Sequence, residues 1–358
     1  MEPLEADATT PSFCMLELSV HGDDVVYAFL YNGTRFFVTI TAEKLEGEGE
    51  LLHQFNSFRE DIDDPDNMFL FEEWVLDALD DFIRQAAPTR TADTSKINTL
   101  LEYFSPPTFA FKLVNKEGRL CAIQECYDPD MHGDMSPRTQ IVDSLVDFSG
   151  SHCFDPEEVI IRSTLPPVPV ISASKLERVT DGLRPEELSD VPKKVRRTGT
   201  DEVFFFKAGF REHGHLRELE ILSKINFSSY SDPSLRTSRL VGLVVWDDDV
   251  SCLMGFLLEY IEGETLTLRT RNASAARKMK WMRQVEATVR RLHQLGVVWG
   301  DAKPDNVIIN AEGDAIVVDF GGGYTPGYID KELQQTFQGD LIGLGQMAAE
   351  IGLRQRFG

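Results

Sequence analysis

Apolar residues recur along this chain with two different periods. Three runs rich in β-branched and aromatic residues, Met15–Val20, Val25–Tyr31 and Arg35–Thr41, are separated by His21-Gly22-Asp23-Asp24 and Asn32-Gly33-Thr34. Short runs bounded by such residues predict strands, and Asn-Gly between two of them predicts a hairpin. A polar, acidic stretch from Glu43 to Asn67 interrupts this pattern. The period then changes. Phe71, Trp74, Val75, Ala78, Leu79, Phe82 and Ile83 recur at helical spacing, which predicts a helix over Phe69–Ala86 with Pro88 just beyond it. Thr108–Val114 and Leu120–Cys126 predict two further strands joined by Asn115-Lys116-Glu117-Gly118. Residues 1–165 therefore read as a small α+β domain. Met1–Pro11 is expected to be disordered and Thr164–Pro169 to be an extended linker.

The second half alternates in the same way. Val203–Lys207 predicts a strand ending in Lys, and His213–Ile225 a helix. Leu240–Val245 and Cys252–Glu259 predict strands about the turn Trp246-Asp247-Asp248-Asp249. Ala275–Leu295 predicts a long helix whose Met282, Val285, Val289 and Leu292 form a core stripe. Ala315–Val318 reads as a strand, and a last helix begins near Gly339.

Charge separates the two halves. Of the net −23, residues 1–165 carry 32 Asp and Glu against 11 Lys and Arg, whereas residues 166–358 carry 27 against 25. The first half would repel nucleic acid and anionic lipid. A plain solvated surface that aids solubility is the first reading of it, and a basic protein partner the second. No apolar run is long enough to span a membrane, and the acidic start lacks the order of a signal peptide. The five cysteines are scattered, with no C-x-x-C pair, which predicts a cytoplasmic or nuclear setting. His132, His152 and the His213–His215 pair lack further ligands at metal spacing, and His293 reads as structural.

The chemistry concentrates in Trp299-Gly300-Asp301-Ala302-Lys303-Pro304-Asp305-Asn306 and, 13 positions after Asn306, Asp319-Phe320-Gly321. Phosphoryl transfer needs a carboxylate to orient the attacking hydroxyl, a cation over the migrating group, and an amide and a second carboxylate for Mg²⁺. The spacing suits two short strands and a tight turn over Val307–Val318.

These motifs resemble the catalytic and metal loops of the eukaryotic protein-kinase fold. More closely, W-G-D-x-K-P-D-N and D-F-G-G-G-Y-T resemble fungal protein-kinase-like proteins that lack Arg before the catalytic Asp. The resemblance runs from about Val170 to Gly358. It implies a bilobal kinase-like fold of the α+β class, with a small lobe over 166–262 and a truncated large lobe over 263–358, behind the acidic domain. It implies ATP and Mg²⁺ as cofactors and a Ser/Thr protein kinase acting on a protein substrate. Asp301 would orient the hydroxyl and Lys303 neutralise the γ-phosphate. Asn306 and Asp319 would hold Mg²⁺. Lys207 would grip the α- and β-phosphates, paired with Glu218 rather than Glu220. Leu258 would be the gatekeeper. The backbone of Glu259 and Ile261 would bond the adenine edge, with Ile308 and Val318 as its floor. Asp340 would fix the catalytic loop.

Four features depart from the family pattern. No G-x-G-x-x-G precedes Lys207, and only Gly182 and Gly199 are available there. Phe205 stands where a small residue usually roofs the adenine. Gly300 replaces the Arg that normally receives an activation-loop phosphate, so activity should not require one. The segment from Asp319 to Asp340 is short and holds no A-P-E. Two alternatives stay open: a nucleotide-binding scaffold without catalysis, and a small-molecule kinase.

Overall fold

The computed structural model describes residues 11–88, 99–132, 136–142, 159–161, 167–184, 187–188, 190–209, 214–229, 232, 235–323, 325 and 328–353. The expected disorder of residues 1–10, and the start of the expected linker at 164–166, lie outside them. The chain forms two compact units, 1–136 with 179–191, and 137–178 with 192–358.

In the first unit, β1 (Phe13–His21), β2 (Asp24–Tyr31) and β3 (Thr34–Thr41) form an antiparallel meander. Asn32 and Gly33 have φ of 48° and 75°, the left-handed conformation that a tight hairpin turn demands. Helices α1 (Ala42–Leu45), α2 (Leu51–Glu60), α3 (Pro65–Ala86) and α4 (Leu100–Phe104) follow. The chain returns as β4 (Thr108–Lys116), parallel to β3, and β5 (Arg119–Glu125), giving the order β1-β2-β3-β4-β5. A short helix α5 (Pro129–His132) comes next. The strand period of two sorts β3 between faces. Phe36, Val38 and Ile40 pack with Phe55, Phe71, Val75 and Leu79, whereas Phe37 packs with Ala28 and Ala110.

The polar stretch at 43–67 is more ordered than its composition suggests. In α2, Phe55 and Phe58 are buried three positions apart, so one apolar stripe suffices among the charges. Helix α3 starts four residues before the predicted Phe69. Pro65 opens it, and the Asp64 carboxylate accepts the N–H groups of Asp66 and Asn67.

The second unit is built on an eight-stranded sheet. Strands β6 (Thr139–Val142) and β7 (Val159–Ile161) lie at one end, and β8 (Val170–Ser172) pairs in parallel with β12 (Leu240–Val245). Strands β9 (Leu176–Arg178), β10 (Lys194–Arg197), β11 (Val203–Ala208) and β13 (Cys252–Glu259) run antiparallel in that order. Between β11 and β12 lies α6 (His215–Ser229), whose Leu219, Leu222 and Ile225 enter the core. The lower part holds β14 (Gly263–Thr265), α7 (Leu266–Thr270), α8 (Ala275–Gln294), β15 (Val307–Asn310), β16 (Ala315–Val317) and α9 (Phe337–Glu350).

The division expected after residue 165 falls instead after Ser136. Thr139 pairs with Leu253 of β13, Ile141 and Ile160 join the second core, and the Trp246 indole N–H donates to Pro137 O at 2.9 Å. Pro169, placed in the expected linker, accepts the Leu243 N–H at 2.9 Å and leads into β8. The β9–β10 connection also departs from a single boundary, because Val179–Val191 belongs to the first unit. Among the described residues, no helix is long and apolar enough to cross a membrane.

Candidate active site

Strand alternation points Lys207 away from the core that Phe206 enters. Its Nζ lies 2.6 Å from Glu218 Oε2 and 2.8 Å from Asp319 Oδ1. Glu218 sits on the inner face of α6, 2% exposed, and its Oε1 accepts the Phe320 N–H at 3.3 Å. Glu220 is exposed and pairs with Lys224. Burial acts to discharge Lys207, but Glu218 and Asp319 together outweigh it and raise its pKa. Burial also raises the pKa of Glu218, with Lys207 opposing. Asp319 itself has φ of 62°, a left-handed conformation uncommon outside glycine, and its side chain is 45% exposed.

Across from this ion pair, residues 299–306 form a loop closed by a single 3₁₀ turn at Pro304–Asn306. The Asn306 amide nitrogen donates to Asp301 O and Oδ2, both at 3.0 Å. Lys303 Nζ lies 2.7 Å from Asp301 Oδ2. The Thr325 hydroxyl is 3.4 Å from Asp301 Oδ1 and 3.4 Å from Lys303 Nζ.

The loop is held from below by α9. Asp340 is 2% exposed and accepts the backbone N–H groups of Trp299 and Gly300, each at 2.8 Å. His293 Nε2 lies 2.8 Å from the same carboxylate, which gives that histidine a structural place at the end of α8. Trp299 is fully buried, and its indole N–H reaches Val318 O at 3.0 Å.

The residues expected around the adenine lie on β13, its continuation, β15 and the end of β16, with Phe205 opposite Leu258 and Phe204 opposite Glu259. Leu258 is buried at the end of β13, Glu259 and Ile261 follow it, and β14 runs against β15. Ile308 on β15 and Val318 after β16 are half-buried. Phe205, two positions from Lys207, is half-buried against the core. Gly199 turns β10 into β11, whereas Gly182 lies in the β9–β10 connection.

Sequence reading missed Arg217. Its guanidinium donates to Val298 O at 2.9 Å, to Trp299 O at 3.3 Å and to Phe320 O. Burial lowers its pKa, with Asp340 and Glu218 opposing. The signal available in sequence was indirect: the adjacent Glu218 and the absence of a side chain at Gly300.

No family model matches the chain. Over 70 residues it is 41% identical to serine/threonine-protein kinase PKH3 of Eremothecium gossypii, covering 19% of this chain and 10% of that one. Over 160 residues it is 26% identical to protein kinase C epsilon type of Oryctolagus cuniculus, covering 36% of this chain and 21% of that one. Over 68 residues it is 35% identical to the KEOPS complex subunit Bud32 of Pyrococcus abyssi, covering 19% and 30%. The second unit has a protein-kinase-like fold. The chain spans less than a third of the length of each of these relatives. Among solved structures, the Cydia pomonella granulovirus kinase PK-1 aligns over 44% of this chain and 62% of its own, at 17% identity and a TM-score of 0.36. Within the kinase-like unit, the sheet β9–β13 with α6 forms the upper lobe, and α8, α9 and the β14-β15-β16 sheet form the lower one.

Proposed function

We propose that the second unit is an ATP- and Mg²⁺-dependent protein kinase that moves the γ-phosphoryl group to a Ser or Thr hydroxyl of a protein. One observation carries the reading: Asp301, Lys303 and Asn306 share one braced loop, and Asp319, which pairs with Lys207, is tied to that loop by the Trp299 indole N–H at 3.2 Å.

The donor set fits the cofactors. Bonding of the Asn306 amide nitrogen to Asp301 leaves its carbonyl oxygen as the group to bind a hard cation, with the Asp319 carboxylate as the second ligand. Among the described residues, no three His, Cys, Asp or Glu side chains converge on one point, and Mg²⁺ bound with phosphates needs only one or two protein carboxylates. Bound Mg²⁺·ATP supplies the transferable group and neutralises its charge. Lys207, kept cationic by two carboxylates, holds the α- and β-phosphates. Asp301 accepts a hydrogen bond from the acceptor hydroxyl and turns its lone pair toward phosphorus. Lys303, beside Asp301, would balance the charge on the transferring oxygens. The Thr325 hydroxyl, 3.4 Å from both Asp301 and Lys303, supports this reading in that one hydroxyl reaches both side chains.

The motif pair favours the fungal protein-kinase-like lineage. The acidic first unit is proposed to meet a basic protein partner, and the protein to work in the cytoplasm or nucleus.

The test is transfer of radiolabelled γ-phosphate by the full chain with Mg²⁺, to itself and to a generic basic protein. Wild type should incorporate label and Asp301→Ala should not. Equal label from both would remove Asp301 from the mechanism. A second reading, a nucleotide-binding scaffold, is favoured by the β9–β10 connection, which has no glycine-rich cradle and runs into the first unit. Thermal stabilisation by Mg²⁺·ATP without any transfer would select it.

A further inference from the structure

We propose that Arg217 is a positioning residue that ties α6 to both halves of the catalytic apparatus, and that the glycine at 300 is its structural counterpart. The consequence for catalysis rests on the kinase reading above, whereas the anchoring itself does not.

The Arg217 guanidinium reaches three carbonyls on two separate segments: Val298 at 2.9 Å and Trp299 at 3.3 Å before the catalytic loop, and Phe320 after the metal ligand Asp319. A planar cation with five N–H donors suits such a set, and bonds from a charged donor are about twice as strong as neutral ones. The next residue, Glu218, accepts the N–H of the same Phe320 at 3.3 Å. Two consecutive residues of α6 therefore grip Phe320 through its carbonyl and its N–H. Displacement of α6 would break both grips as well as the Lys207–Glu218 pair.

Gly300 leaves the guanidinium its space. A Cβ at 300 would lie 2.8 Å from Arg217 Nη2 and 3.2 Å from its Cζ, and the φ of 90° is itself unfavourable for a side chain. Arginine at position 300, the family's usual residue, and the observed place of Arg217 are thus mutually exclusive. Where the family's arginine meets a phosphate supplied by modification, Arg217 meets permanent backbone carbonyls. The bracing of the two loops is therefore constitutive and needs no modification.

The test compares wild type, Arg217→Ala, Arg217→Lys, Gly300→Ala and the Arg217→Ala/Gly300→Ala double variant, all in the full chain. Amide hydrogen exchange should rise about tenfold or more at 298–301 and 319–322 in Arg217→Ala, with β1–β5 of the first unit unchanged. Arg217→Lys should rescue little, since one ammonium cannot span three carbonyls. Gly300→Ala should loosen the same amides by displacing the guanidinium. In phosphate transfer, kcat should fall about tenfold or more with KM for ATP within about threefold. The loss in the double variant should fall well short of the product of the single losses, because both remove one interaction. Unchanged exchange at both segments in Arg217→Ala would overturn the anchoring, whether or not wild type transfers phosphate. Loosened loops with unchanged kcat would overturn the catalytic half. If wild type transfers nothing, the kinase reading fails and the exchange data alone decide. If Arg217→Ala fails to fold, exchange in Arg217→Lys and Gly300→Ala decides in its place.

Discussion

The carboxylate of Asp340 accepts the backbone N–H of Trp299 at 2.8 Å, joining the start of α9 to the first residue of the 299–306 loop. A second oxygen of the same side chain takes the Gly300 N–H. Asp340→Ala leaves both donors buried without a partner, at a cost of about 1–3 kcal/mol each. The expected outcome is a lower melting temperature for the second unit and faster amide exchange at Trp299 and Gly300. Asp340→Asn, which retains an acceptor oxygen, should lie between. An unchanged melting temperature in Asp340→Ala would remove this bond from any bracing role.

Two glycines on α9 should respond with opposite signs. A Cβ at Gly343 would lie 2.8 Å from both Cβ and O of Ala302, so Gly343→Ala forces the helix away from the loop, at about 1–3 kcal/mol. A Cβ at Gly345 meets nothing within 4 Å. There Ala should stabilise the helix by up to about 1 kcal/mol. Thermal unfolding of the two variants side by side reads both effects.

Lys207→Ala leaves Glu218 as an unpaired buried acid, a loss of about 3–5 kcal/mol at neutral pH. The pH dependence has a definite sign. Burial already holds the folded pKa of Glu218 above its ordinary value, and loss of Lys207 raises it further. The penalty comes from ionising the acid in the fold. It is therefore absent below the unfolded pKa, grows as pH rises from there, and levels off above the folded pKa. The stability gap between wild type and Lys207→Ala should widen from acidic to neutral pH. Glu218→Gln added to the variant should flatten that dependence. A gap that narrows with rising pH would contradict the pairing.

The proposed function makes transfer depend on a divalent cation held by Asn306 and Asp319. Chelation by EDTA should abolish label transfer and weaken thermal stabilisation by ATP. Asp319→Asn should lower turnover by about 100-fold or more, with a smaller loss of thermal stability than Lys207→Ala, since Asp319 is half-exposed and Lys207 keeps Glu218 as a partner. Full turnover in Asp319→Asn would sink its assignment as a metal ligand.

Legibility in the sequence followed the range of the interactions. The strands of the first sheet announced themselves through alternation and Asn-Gly chemistry, both local. Asp301, Lys303 and Asn306, which contact one another, were legible from local spacing because they lie within six residues, whereas Lys207 and Glu218 were legible only through the family resemblance. Helix α2 was hidden because its stripe is only a few residues wide among charges. Strands β6 and β7 escaped because each is short, and the pairing of β6 with β13 spans over a hundred positions. Arg217 escaped for another reason. Its place depends on a side chain missing at 300, and a residue pattern does not record empty space.

The route of the main chain has a consequence for how such a protein is divided. The chain passes from one unit to the other after Ser136, after Arg178 and again after Val191. A single cut in the gene at any of these points splits at least one unit, and a cut after Arg178 splits both. Recombination at one junction cannot transplant the acidic unit onto another kinase-like fold, nor remove it cleanly from this one.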